Sequence, residues 1–130
     1  MTVRPLKPED IPQLQAMYEE MGFDYSFPDL LSPEFVDVTV LEDDGRPIMA
    51  IASRKTVEAY LFMDKNWGTP AWRQEGFMQV HLAAHKAIKA LGFRDVHAWV
   101  PPQIVRSFGR RLERVFGWRR SVWDVFSREL

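Results

Sequence analysis

Two hydrophobic rhythms run along the chain, a period of two and a period near 3.6, and their switches mark nine elements. "TVRPL" (2–6) reads as a short strand. "PEDIPQLQAMYEEMG" (8–22) reads as a helix, with Asp10 placed to cap it, Pro12 early and Gly22 as its stop. Ile11, Leu14, Met17, Tyr18 and Met21 form its apolar face. Residues 23–33 form a loop whose three aromatics and two prolines predict packing on the body. "EFVDVTVLED" (34–43) alternates Phe35, Asp37 and Thr39 against Val36, Val38 and Val40, which is strand period. Asp44-Gly45 supplies the positive φ values of a hairpin turn, and 46–53 is the return strand. "TVEAYLFMD" (56–64) predicts a further strand, with Glu58, Tyr60 and Phe62 on one face.

The second half opens on a long helix, 69–92. Thr69 is its N-cap, Pro70 its first residue, Gly92 its end, and Phe77, Val80, Ala84, Ile88 and Leu91 its apolar face. "DVHAWV" (95–100) reads as a strand closed by Pro101-Pro102. Residues 103–118 read as a helix with Ile104, Phe108, Leu112 and Val115 or Phe116 inward, and 121–130 as a last strand. This order predicts one α/β domain over 1–130 with a mixed sheet. In such sheets ligands sit at strand-to-helix turns, which draws attention to "KNWGTPAW" (65–72).

Composition narrows the chemistry. The chain has no cysteine, which excludes thiolate catalysis, thiolate metal sites and disulfides and fits the cytoplasm. No apolar run approaches the roughly 18 residues of a membrane span, and charges and prolines interrupt any signal-like N-terminal stretch. The net charge of −1 hides an asymmetry: residues 1–65 hold 13 Asp/Glu against 6 Lys/Arg, and residues 66–130 hold 5 against 11. That asymmetry points to an anionic partner for the C-terminal half. Nucleic acid is the weakest such partner, because no binding motif interleaves the arginines.

The element order resembles the GNAT N-acetyltransferase superfamily over nearly the whole chain. The resemblance rests on "VRPLKPEDIPQLQAMYEEMGF", "DVHAWVPP", "RRLERVFGW" and "SVWDVFSREL" in sequence. It implies a GNAT-like fold, with a mixed, mostly antiparallel central sheet flanked by helices. It further implies acetyl-CoA as donor and an amine, small or on a protein, as acceptor, chosen by loop 23–33. The family's pyrophosphate loop, Arg/Gln-x-x-Gly-x-Gly/Ala, matches Lys65, Gly68 and Pro70, so Lys65, Asn66, Trp67, Gly68 and Thr69 are the implied cofactor-binding residues. Pro70 departs from the pattern: it has no N–H to give, a loss of about 1.5–3 kcal/mol, or roughly ten- to hundredfold in affinity. Arg106 stands where the family has an early Asn in the last helix and is the remaining cofactor-binding candidate. Glu113 stands where the family has a Tyr that protonates the leaving thiolate, and a carboxylate of ordinary acidity is a poor donor at pH 7. Glu58 is the implied catalytic base.

A second expectation keeps the fold and drops the reaction. Arg106, Arg110, Arg111 and Arg114 form a basic stripe, which is either a solvated face or a contact for phosphate or an acidic protein partner. Degenerate chains of this size with a "WGTP"-like turn resemble small bacteriophage proteins, which implies a virion-associated binding or assembly component. His81 and His85 lie four apart without a third ligand, so they read as surface histidines and no metal is expected. His97, with Trp99 on its strand, reads as packing.

Overall fold

Asp44 and Gly45 both take positive φ, 49° and 75°, which is the primed turn that a two-residue hairpin requires. The turn joins β2 (Phe35–Asp43) to β3 (Arg46–Arg54), and β1 (Thr2–Pro5) pairs with the other edge of β2. All pairing in this three-stranded sheet is antiparallel, with Arg4 opposite Val40 and Val40 opposite Ala50. Register shifts at Phe35/Asp37 and Leu41/Glu42 bend β2 at both ends. Val40, on the central strand, is fully buried, and its burial contributes about 1.5–3 kcal/mol.

The computed structural model describes residues 1–130, which cluster as two units, Met1–Thr56 and Val57–Leu130. The chain is α/β: one antiparallel sheet of three strands with three helices. In the first unit, α1 (Ile11–Met21) packs on β3 with Leu14 buried. Ile11, Met17 and Tyr18 are half-buried as the apolar spacing predicts, and Met21 is exposed. Gly22 ends the helix in the left-handed region at φ 69°. Asp10 does not cap α1 with its side chain. It lies in a 3-10 turn, Pro8–Asp10, and its carboxylate accepts from Lys7 N and from Arg4 instead. Loop 23–33 packs as expected: Tyr18 meets Tyr25 and Phe27 at ring separations of 5.3 and 5.5 Å, and Leu30 is buried.

In the second unit, α2 (Pro70–Ala90) begins as the sequence predicts, with Thr69 Oγ1 accepting from Trp72 N at 3.2 Å. Its least exposed stripe is Phe77, His81, His85 and Ile88, whereas the predicted Val80, Ala84 and Leu91 face outward. The stripe turns because Phe108 and Phe116 pack edge-to-face on Phe77, with ring centroids 5.9 and 4.5 Å away. The predicted helix 103–118 is shorter and composite: a π turn, Val105–Gly109, leads into α3 (Arg110–Val115). Leu112 is its buried residue. Gly117 at φ 74° and the bonds from Phe116 N and Trp118 N to Leu112 O close the end of α3.

Three predicted strands are not built as ladders. Residues 56–64 and 95–100 meet at a single parallel bridge, Glu58 with His97. Ala59 N donates to His97 O and His97 N to Val57 O, each at 2.8 Å. Residues 121–130 join no sheet, and Val122 and Phe126 lie open to solvent. Alternation fixes which face a strand would bury; pairing also needs a neighbour's free backbone groups, which side-chain period does not specify.

Candidate functional site

The turn before α2 is built from its own backbone. Asp64 starts it: Oδ1 accepts from Asn66 N at 2.9 Å and the carbonyl from Trp67 N at 3.2 Å. Gly68 then turns the chain at φ 56°, and Thr69 caps the helix. Asn66, Trp67 and Trp72 have thereby spent their amides, and Pro70 has none. The amides of Gly68, Thr69 and Ala71 remain as donors at the positive end of a 21-residue helix.

Arg73, which sequence reading passed over, completes the turn. Its Nη1 donates to the carbonyls of Trp67 and Gly68, each at 2.9 Å. This places a guanidinium on the carbonyl side of the Trp67–Gly68 and Gly68–Thr69 peptides and leaves its other N–H groups unused. The sequence signal was the spacing: Arg73 lies one helical turn beyond Thr69, so its side chain points back over the N-terminus. The glycine at 68 is required by packing as well as by φ. A Cβ there would come within 2.9 Å of the Trp72 ring, and one at Gly76 within 3.3 Å of the Trp67 ring. The two tryptophans thus rest on the glycines of the turn and first helical turns.

Glu58 lies at the parallel bridge. Tyr60 Oη donates to Glu58 Oε2 at 2.7 Å, and Trp99 Nε1 donates to Oε1 at 2.8 Å. The Tyr60 bond first and the Trp99 bond second hold the Glu58 carboxyl below the usual carboxylate range. The same bond pushes the Tyr60 hydroxyl up. A carboxylate stabilised in this way is a well-placed anion and a weaker base than an isolated one. Glu58 makes its hydrogen bonds to these two rings and none to the turn.

The remaining predicted residues are spread along one segment. Arg106 is in the π turn, and Arg110, Arg111, Glu113 and Arg114 are on α3, all exposed. Lys65 is exposed at the head of the turn.

His81 is not a surface residue. Its Nε2 accepts from Trp118 Nε1 at 2.8 Å, so its proton lies on Nδ1, which is buried without a partner. His85 lies against it with the rings tilted and their centroids 4.0 Å apart. Burial, then His85, pushes the His81 pKa down. No group of three or more His, Asp or Glu is placed to hold a metal ion. A recess of about 560 Å³ lies at the other end of α2, lined by His85, Ile88, Lys89, Phe93, Arg94 and Asp95 among others, and holds none of the predicted site residues. No helix is long and apolar enough to cross a membrane. The chain matches no protein-family model, no curated protein and no solved structure.

Proposed function

We propose that the chain is a divergent GNAT-type protein that binds acetyl-CoA at the turn before α2 and transfers its acetyl group to an amine. One observation carries the reading: the amides of Gly68, Thr69 and Ala71 are unspent at the start of α2, and Arg73 is bonded to the same turn. Free N–H groups at a helix N-terminus with a guanidinium on the same turn suit a pyrophosphate. Bound acetyl-CoA would supply an activated thioester. Gly68, Thr69 and Ala71 would hold the diphosphate by their N–H groups, with Arg73 and Lys65 balancing its charge. Asn66 and Trp67 shape the turn, their amides already given to Asp64. Glu58, weakened as a base by its bonds to Tyr60 and Trp99, would take the proton of the amine as the amine displaces the CoA thiolate. The finer fold, a mixed and mostly antiparallel GNAT-like sheet flanked by helices, belongs to the same proposal.

Calorimetric titration of the protein with acetyl-CoA, with CoA alongside, tests this. Micromolar binding is expected, weakened by the donor that Pro70 lacks. No heat at millimolar ligand would overturn the proposal.

A second reading is favoured by the arginines. Arg106, Arg110, Arg111 and Arg114 are exposed and none is in an ion pair. Glu113 gives the site no proton donor of the family's kind. In this reading the chain is a catalytically silent binding or assembly component, virion-associated in a phage setting, whose arginines meet an acidic protein surface. Loss of acetyl-CoA binding together with salt-sensitive capture of an acidic partner would select it.

A further inference from the structure

The recess at the end of α2 is lined by the last turns of the helix and by the chain that leaves it. His85 and Lys89 stand one turn apart on α2, with Ile88 beside them. Leu91 N donates back to the carbonyls of Ala87 and Ile88, and Gly92 N to that of Lys89, so these carbonyls at the helix end are spent. Gly92 then turns the chain at φ 90°, and a Cβ built on it would meet nothing within 4 Å. Phe93, Arg94, Asp95 and Val96 complete the lining. Ile88, Phe93 and Val96 are half-buried, whereas Lys89 and Arg94 are exposed. Neither cation is in a hydrogen bond or an ion pair, and the amides of Phe93 and Arg94 are also unspent. His85 rests against His81 and Trp118 and makes no hydrogen bond, so its ring has an N–H to give. Asp95 is the one opposing charge, and its carboxylate already has partners, His97 Nε2 among them at 3.9 Å.

We propose that this recess binds a small monoanion with an apolar body, an aryl or alkyl carboxylate. Its volume of about 560 Å³ lies within the range of small-molecule sites, which pair apolar walls with a few polar groups. One ring or a short alkyl chain leaves water for Ile88, Phe93 and Val96. The carboxylate meets Lys89 and Arg94, and the guanidinium fork matches both of its oxygens. Lys89 alone would be the ordinary complement of a helix C-terminus; Arg94 lies beyond the helix and has no such account. The negative end of α2 also sets the charge of the ligand. Together with Asp95 it opposes a phosphate dianion about twice as strongly as a carboxylate. The recess and the turn before α2 lie at opposite ends of a helix of 21 residues, about 30 Å long. The site is therefore separate from the acetyl-CoA reading and stands or falls without it.

The test is an NMR titration of the full chain with sodium 3-phenylpropionate, with 3-phenyl-1-propanol and sodium acetate as controls. The readout is the backbone amide signals of Gly92, Phe93, Arg94 and Val96. A saturable shift of these amides is expected, with a Kd on the order of 1 mM for a ligand of this size. The alcohol lacks the charge and acetate lacks the body, so each should bind at least roughly tenfold more weakly. Arg94→Gln and Lys89→Gln should each weaken the acid by about three- to tenfold. Both side chains are exposed, so each variant should keep the rest of the amide spectrum, and either one alone suffices for the comparison. Absence of a saturable shift at about 20 mM acid, equal affinity for the alcohol, or unchanged affinity in both variants would overturn the site. Shifts centred on Gly68, Thr69 and Ala71 would place the acid at the turn before α2 and overturn it as well.

Discussion

Replacing Asp10 by Asn should destabilise the first unit by about 1–2 kcal/mol at pH 7 and by almost nothing near pH 2. Asp10 is 5% exposed and takes three hydrogen bonds, from Arg4 Nη1 at 2.7 Å, Arg4 Nη2 at 2.8 Å and Lys7 N at 2.8 Å. The same guanidinium reaches Glu42 on β2 at 2.6 Å, so one cation ties β1, β2 and the entry to α1. Arg4 first, against the opposing cost of burial, pulls the Asp10 carboxyl from 3.8 to about 2. At about 1.36 kcal/mol per pH unit that drop is worth roughly 2.4 kcal/mol. Glu42 and the rim of the network keep some solvent, which screens the charges and brings the expected value to about 1–2 kcal/mol. The folded carboxyl is the more acidic one, so its contribution is complete above pH 3.8 and disappears as pH falls through about 2. Asn keeps the shape and an oxygen for Lys7 N, but its amide nitrogen cannot accept from Arg4, so the comparison removes the charge and one Arg4 bond together. All five tryptophans lie in Val57–Leu130, so fluorescence reports on the second unit. Urea titration followed by the backbone amide signals of β2 reads the first. Equal midpoints for the two proteins at pH 7, or a gap that persists unchanged from pH 5 to pH 2, would refute the reasoning.

The other predictions concern the second unit. His81 is favoured in its neutral form by burial, so stability is complete above its ordinary 6.5 and falls as pH drops below it, when a proton on Nε2 would face the Trp118 N–H. Tryptophan-monitored urea midpoints should fall from pH 7 to pH 5 in the natural chain and stay level over that range in His81→Phe. Gly68→Ala adds a Cβ at positive φ and within 2.9 Å of Trp72, so the second unit should lose about 1–3 kcal/mol by urea denaturation. Pro70→Ala restores an N–H to the start of α2 and should tighten acetyl-CoA about tenfold or more by calorimetry; unchanged affinity would place the ligand elsewhere.

What could be read from sequence was what neighbouring residues decide among themselves. Asp44-Gly45 fixes a hairpin because only φ > 0 lets the two strands twist together, and Thr69-Pro70 starts a helix because both act within one turn. The turn itself was visible for the same reason, and its glycine and its cap stand where the spacing put them. Partners distant in sequence were not visible. Asp10 had the chemistry of a cap, but Arg4 offered its carboxylate a charged fork, and two charge-assisted bonds outweigh one neutral amide. His81 and His85 looked like a polar face until Trp118, 37 residues away, supplied a donor to His81 Nε2, and the least exposed stripe of α2 turned with them. Trp99 is 41 residues from Glu58, and nothing in "TVEAYLFMD" announces that its carboxylate will be fixed by an indole. The candidate site therefore divides along the same line. Its turn before α2 is a local construction legible in eight residues, and its carboxylate is set by a long-range bond whose consequence, a fixed and weakened base, runs against the catalytic role that the residue type alone suggested.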